Sequence, residues 1–313
     1  MAKKKKNRDE RIAIMVDKAA GCLDLTASKK NQIVASQSLS IADANDVESA
    51  VADAVDAFCQ QHQLNCPACT IMLPASSYQM LLVEAPPVSE QELADALQWK
   101  VKDLLNKAME ESIIDGFLLP EDAYRGRQKM AYTVVADRVE LQAVANSLNN
   151  INVELDRIEV PELVLLGLLT QNAKASEASA QLEPQNEMIV VIGRERGFLA
   201  VVANQALYFS RPLDISDNAL QNDTHIFSTN GQVDNFILEM QRSRDYFESQ
   251  IGKGTIARIL LAPLNSDASL ISKTILERLG ISVELVAQSS ITDFTLASKG
   301  AETLLLASAA QVT

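Results

Sequence analysis

Apolar residues in the first quarter of the chain alternate and then switch to a helical period. Ile12–Asp17 reads as a strand, Gly21 marks a turn, and Cys22–Leu25 and Gln32–Ser36 return as two further strands. Val47, Val51, Val55 and Phe58 recur at helical spacing behind the polar run Asp43–Asp46. Thr70–Leu73 reads as a short buried strand. In the next block Gln79–Glu84 is a strand ended by Pro86-Pro87. Ser89 and Glu92 form a capping box ahead of a helix with Leu93, Leu97, Val101, Leu104, Leu105 and Ala108 on one face. Trp99 and Lys100 fall off that stripe, and Trp99 is expected at a domain interface, partly buried. Ala131–Ala136, Arg138–Leu148 and Val153–Ile158 read as strand, helix and strand.

Pro161–Thr170 reads as a helix returning to the first domain, and the Ala-, Ser-, Glu- and Gln-rich stretch Asn172–Asn186 as a linker. Beyond it the opening pattern recurs. Met188–Ile192, Gly197–Ala203 and Ala206–Ser210 are strands, with Asn204-Gln205 suited to the second hairpin. Val233, Ile237, Met240, Phe247 and Ile251 mark a helix stopped by Gly252 and Gly254. Ile256–Ala262, Leu270–Leu279 and Ile281–Val286 follow as strand, helix and strand. Each half therefore runs strand, strand, strand, helix, strand, which is the order of a ribonuclease-H-like unit in an actin-like protein. The expected class is α/β, with two actin-like lobes and an α+β insert. The first lobe takes residues 1–74 and 159–180, the insert 75–158 and the second lobe 187–313.

Composition limits the functions open to such a fold. The 313 residues are 47% hydrophobic and only 4% aromatic, so the cores must be built mainly from Leu, Ile, Val and Ala. The net charge of −13 argues against a broad nucleic-acid footprint. Lys3–Lys6, Arg8 and Arg11 form a basic start, read as a solvated segment whose membrane role is auxiliary. No apolar h-region follows it, and the longest apolar run, near Leu163–Leu169, is broken by Gly167. The expected location is the cytoplasm, with any membrane association through a partner.

Candidate chemistry is sparse. Cys59, His62, Cys66 and Cys69 have the ligand types for zinc, and Cys66 and Cys69 form a CxxC. Cys59 closes a helical stripe and Cys69 opens a strand, so the preferred reading is inward packing rather than metal. His225 lies in a polar loop beside Asp223, far from His62. GxSxG, HExxH and Walker A patterns are absent, and no enzyme activity is expected.

Leu73–Pro120 reads LPASSYQMLLVEAPPVSEQELADALQWKVKDLLNKAMEESIIDGFLLP, with DRIEVPELVLLGLL at Asp156–Leu169 and LEMQRSRDYFESQI at Leu238–Ile251. These stretches resemble the PilM-like family of type IV pilus assembly proteins, in its MSHA pilus biogenesis (MshI-type) branch. The resemblance implies the FtsA variant of the actin fold, with an inserted subdomain matching 75–158. It further implies a place on the cytoplasmic side of the pilus machine. The implied partner is the short cytoplasmic tail of a bitopic, PilN-like inner-membrane protein, of MshJ type in the MSHA system. No tail-binding residue carries over. A secretion component like the cytoplasmic part of GspL is set aside, because that family continues into a transmembrane helix.

The same resemblance says where a nucleotide would sit, and the residues there are altered. The first phosphate hairpin, Val16–Gly21, keeps Asp17 but has Ala19 where glycine is usual. The second, Val190–Gly197, keeps Gly193 but has Val191 in place of the second Asp, and Val cannot ligate magnesium. Glu195 would aim a negative charge at phosphates, with Arg194 and Arg196 available to compensate. The adenosine loop, Leu261–Ser266, has no glycine. Asp17, Gly21, Gly193 and Gly197 are therefore the cofactor-binding candidates only if a residual site exists, and the expectation is no cofactor. The leading expectation is a non-enzymatic scaffold. The alternatives are an ATP-binding, magnesium-dependent actin-like ATPase of pilus assembly or type II secretion, and a zinc-stabilised interaction domain.

Overall fold

The alternating start folds as three antiparallel strands, β1 (Asn7–Asp17), β2 (Cys22–Lys29) and β3 (Gln32–Ser40), in a computed structural model. The model describes residues 7–41, 46–124, 128–149, 151–175, 186–222, 231–262, 264–286 and 300–311. Helix α1 (Val47–Gln61) starts where the Asp46 carboxylate accepts the Glu48 and Ser49 N–H groups, and β4 (Pro67–Met72) then pairs parallel to β1. The insert follows as β5 (Tyr78–Glu84), α2 (Leu93–Val101), β6 (Ser112–Leu118) and β7 (Met130–Asp137). The chain returns through α3 (Arg138–Ser147), β8 (Glu154–Glu159) and α4 (Pro161–Ala175). The second half is β9 (Glu187–Ile192), β10 (Gly197–Ala203), β11 (Ala206–Leu213), α5 (Asp217–Asn222) and α6 (Gly231–Tyr246). It closes with β12 (Arg258–Leu261), α7 (Ala268–Leu279), β13 (Val283–Leu285) and α8 (Gly300–Gln311).

Two five-stranded sheets share one winding. Their orders are β3-β2-β1-β4-β8 and β11-β10-β9-β12-β13, each with three antiparallel strands followed by two parallel ones. The insert is a separate antiparallel sheet, β5-β7-β6, with α2 packed through Leu93, Leu97 and Val101 on Val83, Ile114 and Ala131. Alternation decides the faces of the first sheet. Ile12, Ile14 and Val16 join Val51, Val55 and Phe58 of α1 and Leu141 and Val144 of α3, whereas Ala13 and Met15 face the opposite core.

That opposite core is closed by α8, which the sequence reading left unassigned within a second lobe of 187–313. The helix lies across β1, β2, β3 and β4 of the first sheet and against α4. It has no solvent-facing polar side: every residue but Thr303 is buried, Glu302, Ser308 and Gln311 included. Underneath it β2 offers a polar face, Asp24, Thr26 and Ser28, all buried. Ser28 Oγ donates to the Ala310 carbonyl at 2.5 Å, and Gln311 Nε2 donates to the Asn31 carbonyl at 2.9 Å. The helix that α8 mirrors in chain order, α4, packs on β11 of the second sheet, so each lobe's last helix leans on the other.

Other expectations shift too. β8, expected in the insert, is the edge strand of the first sheet, because its backbone completes the ladder on β4. α3 packs on α1 and also touches β7, so its Leu141 and Val144 join the first lobe's core together with Tyr78 and Ala136 of the insert. α2 stops at Val101, and one 3₁₀ turn ends at Leu104, short of Ala108. Trp99 is 70% exposed and sits at no domain interface, with the Lys102 ammonium 5.9 Å from its ring centre. α4 runs on to Ala175, into the expected linker, of which 176–185 lie outside the described residues, as do Lys3–Lys6 and His225. β6 was not foreseen. The Asn204-Gln205 hairpin is present, both residues having positive φ. Among the described residues no helix is long and apolar enough to cross a membrane.

Burial of α8 gives a direct expectation. Leu306→Ala, at a fully buried position of that helix, should cost about 2–4 kcal/mol of unfolding free energy in urea denaturation. An unchanged midpoint would mean that the helix does not hold the first sheet.

Candidate functional site

The two hairpins that end β1 and β9 face one another between the lobes. β1 ends in Asp17, 4% exposed, whose Oδ1 accepts the Ala20 N–H at 3.1 Å within a turn closed by Gly21 at φ +63°. Asp17 is thus the acid of a turn. In the second hairpin the Gly193 N–H donates to the Arg196 carbonyl, and a Cβ on Gly193 would lie 2.7 Å from that oxygen. Gly197 is packed as tightly, a Cβ there lying 2.7 Å from the Val191 carbonyl.

Arg194 then crosses the cleft. Its Nη1 and Nη2 donate to the two carboxylate oxygens of Asp24 on β2, each at 2.9 Å. Both side chains are largely buried, which makes this a planar, two-bond charge pair between the lobes. The Arg194 backbone N–H donates to Glu302 Oε1 at 2.6 Å, from the first turn of α8. Burial pushes the Glu302 carboxyl above the ordinary carboxylate value, partly offset by the Arg194 charge and N–H. Glu302 fits because Gly193 and Gly300 leave room: a Cβ on either would come within 3.2 Å of its carboxylate. Gly300 also holds φ +50° as the helix begins.

The space left between the lobes is a cavity of about 30 Å³, lined by Met15, Asp17, Gly193, Arg194, Glu302 and Leu305 among others. That is room for about a water. A phosphate and the Glu302 carboxylate would compete for the same N–H donor, so this lining does not fit a magnesium nucleotide. The adenosine-side loop is also committed. Asp217, buried, accepts the Asn265 N–H and Nδ2 at 2.9 Å and the Ser266 N–H at 3.1 Å; Pro263 lies outside the described residues. Of the residues expected to compensate at phosphates, Arg194 is engaged with Asp24 and Arg196 is exposed, while Glu195 accepts from Asn218.

The cysteine cluster packs inward. Cys59, Cys66 and Cys69 are buried free thiols, and the His62 ring lies tilted against Phe58, with ring centres 4.7 Å apart. Burial pushes the Cys59 thiol up to about 12 and raises Cys69 further, opposing the thiolate a metal needs. No group of three His, Cys, Asp or Glu among the described residues is placed to hold a metal ion.

Beside the closed cleft lies an open groove of about 220 Å³. It runs between the end of β1, the segment after β4 and helix α3, with Ile71, Leu73, Leu141 and Val144 as apolar walls. The insert that bounds it is tied to both lobes. Glu162, at the start of α4 and only 4% exposed, accepts Tyr78 Oη of β5 at 2.5 Å and Ser210 Oγ of β11 at 3.2 Å. Tyr132 Oη of β7 accepts the Ser210 N–H at 2.8 Å. Burial raises the Glu162 carboxyl above its ordinary value, and the Tyr78 and Ser210 hydroxyls partly offset this. Asp122 accepts Tyr208 Oη at 2.8 Å and pairs with Lys253, joining the end of the insert to the second lobe.

No protein-family model matches the chain, and no curated protein matches it either. Solved structures do. A chain of a "PilM-PilN type IV pilus biogenesis complex" superposes with a TM-score of 0.72 at 15% identity, over 98% of this chain and 100% of that one. A Bacteroides thetaiotaomicron protein of actin-like ATPase fold and unknown function gives 0.55 at 10% identity, over 96% of each chain. The cytoplasmic domain of EpsL, an inner-membrane component of the Vibrio cholerae type II secretion system, gives 0.51 at 13% identity, over 97% and 96%. The chain has the actin-like fold.

Two expectations follow. Arg194→Ala leaves Asp24 buried without a counter-charge and should lower stability by about 3–5 kcal/mol, while Arg194→Met with Asp24→Leu should recover much of that loss. The Glu162 carboxyl titrates higher in the folded chain than in the unfolded one. Its contribution is therefore whole below the ordinary glutamate value and is lost as pH rises through the folded one. Glu162→Gln should flatten that part of the stability–pH curve in urea titrations, and an unaltered curve would remove Glu162 as the cause.

Proposed function

We propose that this protein is a cytoplasmic, non-enzymatic scaffold of a type IV pilus assembly machine, of the MSHA type. In this reading it holds the cytoplasmic tail of a PilN-like, MshJ-type inner-membrane protein in the groove between the first lobe and α3, and membrane association is indirect. The observation that carries the reading is the contrast between the two spaces. The interlobe cleft is filled by Arg194, Asp24 and Glu302, whereas the groove beside it is open and apolar-walled. A cycle of ATP hydrolysis needs aligned metal and water, and Val191 stands where the second acid would be. The solved chain that superposes over its whole length comes from a PilM-PilN type IV pilus biogenesis complex, which supports a PilN-like partner. The lobes keep their relative orientation through an internal ion pair instead of a nucleotide. A second reading, a cytoplasmic component of type II secretion, is favoured by the likeness to EpsL and makes the same use of the fold.

Thermal-shift and calorimetric titration decide between scaffold and ATPase. A ligand at 100 times its Kd adds about 2.7 kcal/mol, so the scaffold predicts no shift with ATP, ADP or a nonhydrolysable analogue in magnesium. Micromolar ATP affinity would sink the nucleotide-independent role. Pulldown with a PilN-like tail and with a secretion-type partner separates the first reading from the second.

A further inference from the structure

The groove has an electrostatic character that its apolar walls do not require. Its charged lining is Asp17, Asp137 and Glu140 against a single cation, Lys18. Two of those carboxylates are already provided for. Asp137 caps α3 by accepting the Glu140 N–H at 3.0 Å and pairs with Lys107, which holds its carboxyl below the usual range. Glu140 meets Lys18 across the groove at 3.6 Å, a half-exposed pair that contributes little and is easily exchanged.

Asp17 is different. It is nine-tenths buried and lines both the groove and the cleft, and its carboxylate accepts the Ala20 N–H on one oxygen. Among the described residues it makes no ion pair: of the two arginines lining the cleft, Arg194 is committed to Asp24, and the exposed Arg196 does not reach it. A buried carboxylate is stabilised by a counter-charge brought close to it in a low-dielectric setting. The side from which one can arrive is the groove.

We infer that the groove selects an extended peptide carrying a lysine or arginine beside an aliphatic side chain. The cation is placed against Asp17, and the aliphatic group lies on Ile71, Leu141 and Val144. This rests on the tail-binding reading and adds the recognition chemistry. Glu140 supports the incoming charge once it is released from Lys18, and Lys18 is the competitor that an uncharged segment would not displace.

The probe is a pair of labelled, N-acetylated peptides: the cytoplasmic tail of a PilN-like membrane protein from the same organism, and that tail with every Lys and Arg replaced by Gln. Fluorescence anisotropy should show the native tail binding the full chain about tenfold more tightly than the Gln tail. Asp17→Asn keeps the acceptor for Ala20 and should abolish that difference, with the Gln tail binding as it does to the unaltered protein. Lys18→Gln, which removes no buried contact, should tighten the native tail about threefold and leave the Gln tail unchanged. Equal affinity of the two tails would overturn the charge selection and leave the tail reading standing. Binding of neither tail would overturn both, and an unchanged native-tail affinity in Lys18→Gln would count against the charge selection even if Asp17→Asn failed to fold.

Discussion

A sheet whose two faces are both apolar or polar-buried has to be covered on both, and in the first lobe the second cover comes from the far end of the chain. Helix α8, buried at every residue but Thr303, settles over β1 to β4. Its descent onto β2 buries a row of polar side chains. That is tolerable because each finds a partner: Ser28 with the Ala310 carbonyl, Thr26 with Ser36, Asp24 with Arg194. The cover also fixes where the first turn of α8 lies, and Glu302 is in that turn.

From this packing the state of the cleft follows. Once Glu302 sits against the Arg194 N–H, the second hairpin has spent on an internal carboxylate the donor that it would offer a phosphate. Arg194 lies between Glu302 and Asp24, so its charge serves two buried acids from two lobes. Breaking such an arrangement leaves charges without partners, which costs more than the pair contributes in place. The lobes are bridged by charged groups of the chain itself, and Asp17 lines both the cleft they occupy and the groove beside it.

The insert is locked by the same logic at lower charge. Tyr78, Tyr132 and Tyr208 each carry an apolar ring into the packing and a hydroxyl to a partner across a boundary. Glu162 gathers the first of these together with Ser210, so strand β5 of the insert, strand β11 of the second sheet and helix α4 meet at one buried carboxyl. The wall of the groove formed by α3 packs on α1 and lies next to an insert hydrogen-bonded to both lobes.

Local information settled much of this molecule. Alternation in Ile12–Asp17 and Met188–Ile192, the helical stripe Val51, Val55 and Phe58, and the left-handed pair Asn204-Gln205 specify repeated strand and helix order, because period and turn chemistry act over a few residues. Ala19 and Val191 stand out only through the family resemblance, which implies where phosphate hairpins would lie. What only the tertiary structure decided is who meets whom. The pairing of Arg194 with Asp24 spans 170 positions, and that of Arg194 with Glu302 spans 108. Cys22–Leu25 read simply as a returning strand, and nothing local says that Asp24, Thr26 and Ser28 lie under the last helix. Trp99, expected partly buried at a domain interface, is on the surface, while β8 joined the first sheet through backbone hydrogen bonds that carry no side-chain signature. A period names the face that will be buried. The partner that buries it depends on the path of the whole chain.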